Sequence, residues 1–234
     1  MDKASAYLSK SWDSIARRYV EHDTTTQETF GPYVDAAGVD IPSGHANDNL
    51  RTVADATQRK GDWMQTFSGF QFWPLDPRAE EIHIVDIAHA LSMQCRYAGH
   101  CRKFYSVAEH SVHLARLVSP VNAMWALLHD ASEAYLVDVP RPVKPFLTGY
   151  KAAEAKVMAA VCERFGLPPE MPVEVHKADG AIIGDERANM APCVAPWYST
   201  GGPLGIRLQY WTPAEAEAEF LAAFWELQKM GVAA

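Results

Sequence analysis

The chain has 234 residues, of which 48% are hydrophobic and 21% charged, a mixture typical of a folded protein rather than an intrinsically disordered one. Its 29 acidic and 21 basic side chains give a formal net charge of -8 at pH 7, which disfavours general binding to nucleic-acid backbones or anionic membranes. An anionic small ligand would therefore require a local cationic pocket.

No apolar stretch approaches the roughly 20 residues of a membrane-spanning helix, and the first residues lack the apolar region of a signal peptide. The four cysteines show no CxxC spacing, and the chain is large enough to fold without disulfides. We therefore expect a cytoplasmic protein whose thiols are reduced.

The first part of the chain differs in texture from the rest. One amphipathic stretch, residues 8–19, is followed by polar and irregular sequence without an apolar period. We expect residues 1–62 to form an N-terminal extension with one helix plus an irregular segment, and residues 63–234 to form the main domain. The apolar face of the predicted N-terminal helix needs a partner, which favours a homo-oligomer.

Helix-period segments dominate the main domain, and only two short runs, residues 66–72 and 206–210, have strand character. The first run predicts a β-hairpin that turns at Ser68-Gly69. Helices are predicted to begin near Asp86 and at Ser106, to cover residues 122–135 and 150–165, and to begin at Pro172 and Thr212. The predicted fold is therefore all-α, a helical bundle with a small β-hairpin appendage.

Two adjacent polar residues, His129 and Asp130, lie inside an otherwise apolar predicted helix. Burying an imidazole beside a carboxylate is costly unless a partner satisfies both, and a metal ion has the chemistry to do so. Glu133 lies one helical turn further along, so its carboxylate can reach the same volume.

A second imidazole and a second carboxylate come from His110 and Asp179. Ser106 and Glu109 form an S-x-x-E capping box, which puts His110 on the first turn of its helix. Asp179 interrupts the apolar stripe of another predicted helix. Two imidazoles and two carboxylates on three helices suit one divalent metal ion and leave positions open for water and a phosphoryl oxygen.

These residues belong to motifs that resemble the HD-domain metal-dependent phosphohydrolases, in the branch of bacterial 5′-deoxynucleotidases and phage dATP triphosphohydrolases. The matching segments follow the family's order over about residues 66–190, and they are VAEHS at 107–111, HDASE at 129–133, DVPRPVK at 138–144 and KAD at 177–179. The resemblance implies that residues 63–234 form an HD domain with one divalent metal ion, which would be Mn, Co, Zn or Mg.

The resemblance also implies a role for each site residue. It makes His110, His129, Asp130 and Asp179 metal ligands, Glu133 and Asp138 acid/base carboxylates, and Arg96 and Lys144 phosphate-binding residues. Two further substrate-binding candidates come from their positions in the sequence. Tyr97 is next to Arg96 and could stack on a base, and Arg102 belongs to a group of basic residues around the motifs.

The expected reaction is hydrolysis of a nucleotide phosphate by metal-activated water, with Glu133 orienting or deprotonating the water and Asp138 able to protonate the leaving oxygen. A 5′-nucleotidase-type reaction is the first interpretation, and a dATP-type triphosphohydrolase is the alternative. A di-iron oxygenase would need more histidines between Asp130 and Asp179 than His176, and a non-catalytic nucleotide sensor would have lost a ligand or Glu133. The expected partner is a nucleotide substrate, with no nucleic-acid polymer and no membrane.

Overall fold

The structure is a computed structural model that describes residues 33–34, 40–41, 59–195, 197 and 202–231. The chain divides into two compact units, Met1–His45 and Ala46–Ala234. In the first unit, strand β1 (Tyr33–Val34) pairs antiparallel with strand β2 (Asp40–Ile41). The predicted helix at residues 8–19 lies outside the described residues.

The predicted β-hairpin is present in the second unit. Strand β3 (Met64–Gln65) pairs antiparallel with strand β4 (Gln71–Phe72). The turn between them contains Gly69 at a φ of 88°, a left-handed conformation that favours glycine. The buried carboxylate of Asp86 accepts the N–H of Ser68 at 2.7 Å and its hydroxyl at 2.8 Å. The turn is therefore anchored to the helix that carries Asp86.

Helices form most of the remaining described structure. In chain order they are α1 (Ile84–Met93), α2 (Val107–Leu117), α3 (Pro120–Leu128), α4 (Glu133–Leu136), α5 (Tyr150–Phe165), α6 (Val173–Glu186) and α7 (Pro213–Lys229). Helix α2 packs against α3 and α7, and α1 packs against α7. The predicted all-α fold with a small hairpin is confirmed.

The core is apolar and is formed by the four helices that pack most closely, α1, α2, α3 and α7. Its fully buried side chains include Ile87, Leu91, Val112, Leu114, Leu127, Leu128 and Phe220. Burial of one such side chain stabilises the fold by about 1.5–3 kcal/mol relative to its exposure. Within the described ranges, none of the helices is both long and apolar enough to cross a membrane.

Several helix ends follow their sequence signals. Thr212 and Glu215 form the predicted capping box of α7. Helix α5 has the predicted bounds and is followed by Gly166 at a φ of 64°. Pro172 is the N-cap residue of α6 rather than its first helical residue, so this helix begins one position later than predicted.

The predicted helix at residues 122–135 is instead two helices, α3 and α4, separated by a turn at residues 129–132. The carbonyl of Ala126 accepts a 2.8 Å hydrogen bond from Nδ1 of His129. In a continued α-helix that carbonyl would accept the N–H of Asp130. The chain then tightens, because the N–H of Ala131 bonds to the carbonyl of Leu128, three residues back, at 3.0 Å. His129 and Asp130 therefore lie at a helix end, not within a helix.

The carboxylate of Glu109 accounts for two wrong predictions. They are the strand at residues 206–210 and the return bond from Glu109 to Ser106 in the capping box. Ser106 Oγ accepts the N–H of Glu109 at 3.0 Å, as predicted, but the Glu109 carboxylate does not return to Ser106. It accepts the backbone N–H groups of Gln209 and Tyr210 at 2.7 and 3.0 Å. These N–H groups are therefore committed to a carboxylate and not to a neighbouring strand.

Candidate metal centre

The centre gathers side chains from the ends of α2 and α3 and from the middle of α6. His110 lies on the first turn of α2 and is fully buried, and His129 follows the last residue of α3. Their Nε2 atoms face each other at 3.2 Å. Asp179 of α6 brings Oδ1 to 3.3 Å from Nε2 of His110 and 3.9 Å from Nε2 of His129.

The fourth predicted ligand also approaches both imidazoles. Oδ2 of Asp130 lies 3.1 Å from Nε2 of His129 and 3.8 Å from Nε2 of His110. Helix packing and the turn after α3 thus bring together all four side chains that the sequence singles out. His110, His129 and Asp179 in particular offer ligand atoms that all lie within 4.8 Å of one another.

Both imidazoles are oriented by their outer nitrogens. Nδ1 of His110 lies 2.7 Å from Oε1 of Glu186, and Nδ1 of His129 lies 2.8 Å from the carbonyl of Ala126. A carbonyl or an ionised carboxylate can only accept, so both Nδ1 atoms carry hydrogen. Each Nε2 is then free to direct a lone pair into the centre, the arrangement usual for metal-binding histidines.

The donor set fits a divalent metal ion. Two lone pairs at 3.2 Å repel each other unless a positive charge lies between them. Nitrogens bound to one tetrahedral zinc ion at about 2.0–2.1 Å would be about 3.3 Å apart, close to the observed separation. The buried group of His110, His129 and Asp179 can therefore hold a metal ion.

The pKa shifts within the cluster also show that its carboxylates favour a nearby positive charge. Burial disfavours the charged imidazole of His129, but the charge and hydrogen bond of Asp130 outweigh it and raise its pKa to about 9. Burial disfavours ionised Asp130 as well, yet His129 and then His110 lower its pKa to about 2. Burial is likewise overcome at Asp179, where His110 holds the pKa well below its usual range. These shifts show that the two carboxylates favour positive charge on the imidazoles between them.

Glu186 is a site residue that the sequence analysis missed. Its carboxylate is fully buried, bonds to Nδ1 of His110, and accepts Nη2 of Arg96 at 3.3 Å and the hydroxyl of Tyr97. Burial opposes its ionisation, but Arg96 and His110 hold its pKa well below the usual range. The available signal was its spacing: it follows Asp179 by seven residues, two helical turns along the same face.

Arg96 and Tyr97, two of the predicted substrate-binding residues, lie beside this cluster. Nη1 of Arg96 is 3.5 Å from Oδ2 of Asp130, so the guanidinium joins Asp130 to Glu186. Its Nε is buried and has no hydrogen-bond partner among the described residues. Arg96 therefore adds a positive charge next to the candidate ligands and leaves one donor unsatisfied.

Glu133 and Lys144 form an ion pair near the cluster. Nζ of Lys144 lies 3.1 Å from Oε1 of Glu133 and 3.0 Å from Oε1 of Glu154. Oε2 of Glu133 is buried without a hydrogen-bond partner in the part of the chain that is described. Burial, followed by the charges of Asp130 and Asp138, raises the pKa of Glu133 to about 8, against the opposing effect of Lys144. Glu133 is thus a carboxyl that can exchange a proton near neutral pH.

Gln94 joins the two predicted acid/base carboxylates through the backbone. Its Nε2 donates to the carbonyl of Glu133 at 2.9 Å, and its Oε1 accepts the N–H of Asp138 at 2.9 Å. Asp138 itself is half-buried, and burial raises its pKa while Arg96 opposes the shift. A single amide at the end of α1 therefore fixes both ends of the segment from Glu133 to Asp138.

Arg102 stands apart from the other predicted site residues. Its side chain is exposed, and its backbone N–H donates to the carbonyl of Asn189 at 2.7 Å. Among the contacts of the described residues, none joins the Arg102 side chain to the histidines or carboxylates of the centre. The turn at Tyr97–Gly99 separates it from Arg96, because three successive residues there have positive φ.

Comparison with known proteins identifies relatives but assigns no activity. No family model matches the chain. It is 44% identical over 128 residues to the uncharacterized protein YfdR of Escherichia coli (strain K12), across 55% of this chain and 72% of that protein. It is 39% identical over 129 residues to the uncharacterized protein RCAP_rcc00048 of Rhodobacter capsulatus, across 51% of this chain and 66% of that protein. Because it covers more than two thirds of YfdR at this identity, the chain belongs to the YfdR family.

Proposed function

We propose that the chain is a metal-dependent phosphohydrolase acting on nucleotides or deoxynucleotides, of the HD-domain type that its motifs resemble. The observation that carries the proposal is the convergence of two imidazoles and two carboxylates, with contacts between 3.1 and 3.9 Å. His110, His129 and Asp179 would hold the ion, with Asp130 as the fourth ligand. When bound, a divalent ion supplies positive charge and Lewis acidity at the reacting phosphate.

Glu133 is the proposed general base. Lys144 occupies its Oε1, so Oε2, which is buried and has no hydrogen-bond partner among the described residues, is the atom that would accept a proton from the attacking water. A base with a pKa near the operating pH combines the correct protonation state with sufficient basicity, and a pKa of about 8 meets this requirement. Asp138, held by Gln94, is the proposed acid for the leaving oxygen.

Arg96 is the proposed phosphate-binding cation. Its buried Nε lacks an acceptor within the described residues, and a buried donor left unpaired costs about 1–3 kcal/mol. A phosphate oxygen would satisfy that donor and would be attracted by the guanidinium charge. Lys144 is already paired with Glu133 and Glu154, so its proposed part is to orient Glu133 as well as to add positive charge.

The test is a screen for phosphate release by the full-length protein after chelator treatment. Nucleoside monophosphates and triphosphates are each supplied with Mn, Co, Mg or Zn, and inorganic phosphate and inorganic triphosphate are measured separately. We expect hydrolysis only when a divalent ion is restored. Inorganic phosphate from monophosphates supports the 5′-nucleotidase reaction, whereas inorganic triphosphate supports the alternative, a deoxynucleoside triphosphate triphosphohydrolase.

A pair of matched variants assigns the activity to the proposed site. Glu133→Gln keeps the size of the side chain but removes the base, so hydrolysis should slow by at least about 10²-fold. Glu170→Gln makes the same change at an exposed position and should hydrolyse at the wild-type rate. Equal activity of Glu133→Gln and Glu170→Gln, or activity that persists in chelator, would contradict the proposal.

A further inference from the structure

Two of the four cysteines lie in contact with each other. Sγ of Cys95 is 3.3 Å from Sγ of Cys101, and both residues are half-buried. By contrast, Cys162 is buried in the core and Cys193 is exposed. All four are free thiols in the structure. Only about 1.3 Å of approach separates the first pair from a disulfide, whose sulfurs are about 2.05 Å apart.

The backbone holds this pair together. The N–H of Arg96 donates to the carbonyl of Tyr105 at 2.9 Å, and the N–H of Val107 donates to the carbonyl of Gln94 at 3.1 Å, so Cys95 is clamped opposite the start of α2. Positive φ values at residues 97–99 then turn the chain back toward it. The proximity of the sulfurs is therefore a property of the loop and not of chance side-chain rotation.

We propose that Cys95 and Cys101 are an oxidisable pair that forms a reversible disulfide on reaction with a peroxide. The Cys95 thiolate attacks one peroxide oxygen, the O–O bond breaks, and the departing hydroxide takes up the proton lost by the thiol, so that a sulfenic acid and one water form. The Cys101 sulfur then attacks the sulfenic sulfur, the S–S bond forms, and the hydroxyl leaves with the Cys101 proton as a second water. Two thiols are oxidised by two electrons, and one peroxide is reduced to two waters.

The protonation of Cys101 makes it unsuited to the first step. Burial and then the hydrogen bond with Cys95 raise its pKa to about 11, so its thiol is protonated at neutral pH. Thiolates rather than thiols attack peroxide, which makes Cys101 a poor first nucleophile. Its sulfur nevertheless lies in contact with the position where the Cys95 sulfenic acid would form. We expect formation of the disulfide by Cys101 to be slow at neutral pH and faster as the pH rises, because the Cys101 thiolate then becomes more abundant.

The disulfide would close the loop that carries Arg96 and Tyr97. Both side chains bond to Glu186, which in turn orients His110. Movement of the two sulfurs therefore displaces residues that support the centre. This consequence, unlike the disulfide itself, rests on the proposed function. We expect oxidation to slow nucleotide hydrolysis by at least about tenfold, since a 1 Å misplacement of positioning groups can cost about 10²-fold.

The experiment uses the full chain with Cys193→Ser, which removes the exposed thiol. After treatment with hydrogen peroxide, intact mass and peptide mapping should show a loss of two hydrogens and a cross-link between Cys95 and Cys101, reversed by a thiol reductant. In the matched Cys101→Ser, Cys193→Ser variant, the cross-link should be absent and Cys95 should gain oxygen. The proposal would be overturned if no cross-link forms under conditions that fully oxidise the exposed Cys193 of the wild-type chain. A cross-link through Cys162 would also overturn it.

The consequence for hydrolysis is measured separately on the same samples. Three results together support control of the centre by the loop. The oxidised Cys193→Ser protein releases phosphate more slowly, reductant restores its rate, and peroxide treatment does not slow the Cys101→Ser variant. An unchanged rate in a fully cross-linked sample overturns that control. If reduced protein hydrolyses no nucleotide, the proposed function fails, while mass analysis still decides whether the pair forms.

Discussion

Oε1 of Glu186 accepts a 2.7 Å hydrogen bond from Nδ1 of His110, and both side chains are fully buried. This bond fixes the ring so that Nε2 faces the second imidazole. Because Glu186 also binds Arg96 and Tyr97, one carboxylate connects the candidate metal centre to the loop that precedes α2.

Glu186→Gln should weaken metal binding. The amide oxygen can still accept the His110 N–H, but the charge that increases the basicity of the imidazole is lost. Changes to such outer partners typically lower metal affinity by about 10–100-fold. Calorimetric titration of chelator-treated protein with Mn measures the effect, and Glu170→Gln at an exposed position should retain wild-type affinity. Equal affinities in the two variants would show that Glu186 does not support the centre.

Gln94→Ala should affect both stability and hydrolysis. It leaves the Glu133 carbonyl and the Asp138 N–H without their side-chain partner, which costs about 1–3 kcal/mol of unfolding free energy. The predicted decrease in kcat/KM exceeds that in an equally destabilised variant, because Glu133 and Asp138 lose their fixed separation. Denaturant unfolding and phosphate release measure the two effects, with exposed Gln228→Ala as the matched control. Wild-type kcat/KM in Gln94→Ala would contradict the positioning role.

Thr212→Ala tests how the last helix is specified. It removes the oxygen that accepts the Glu215 N–H, and the Glu215 carboxylate loses one of its two bonds to Thr212. Loss of such an N-cap typically lowers the unfolding free energy by about 1 kcal/mol. Denaturant unfolding should show this decrease, whereas Thr148→Ala at an exposed, non-capping position should leave stability within about 0.5 kcal/mol. A Thr212 variant as stable as the Thr148 variant would contradict the capping role.

The buried carboxyl of Glu133 predicts a pH dependence of stability in the metal-free protein. Its pKa is raised to about 8 in the folded chain, so folding favours the protonated form. Its stabilising effect is complete below the ordinary glutamate pKa of about 4.5, and it is lost as the pH rises through about 8. The slope is at most about 1.4 kcal/mol per pH unit.

Glu133→Gln removes this titration. The unfolding free energy of the wild type minus that of Glu133→Gln should therefore decrease as the pH increases between about 5 and 8. Both proteins are kept in chelator. A difference that is constant over this range would mean that Glu133 titrates at its ordinary pKa. A difference that grows with pH would mean that the ionised form is the one stabilised by folding.

The fold and most of the centre could be predicted because their signals are local. Ser106 caps its helix by accepting the N–H of Glu109, the third helical residue, and this placed His110, the fourth, on the first turn. His129 and Asp130 were conspicuous because they interrupt an otherwise apolar predicted helix. The turn that contains them was not predicted, since it depends on the bond between the His129 side chain and the Ala126 carbonyl.

Contacts over long sequence distances account for the errors. Glu109 has the spacing of a capping box, but its carboxylate binds backbone about 100 residues away, and no local pattern distinguishes these two uses. The same contact removed the predicted strand at residues 206–210. Glu186 bonds to His110 across 76 residues, so its role required the packing of α2 against α6, although its spacing from Asp179 was a usable signal.

Calorimetric titration of chelator-treated protein with Mn tests the central claim most directly. We expect one ion per chain for the wild type and for Glu133→Gln, and no measurable binding for Asp130→Ala or Asp179→Ala. Circular dichroism verifies that each variant is folded. No binding by the wild type, or wild-type binding by folded Asp130→Ala and Asp179→Ala, would contradict the assignment of the metal centre.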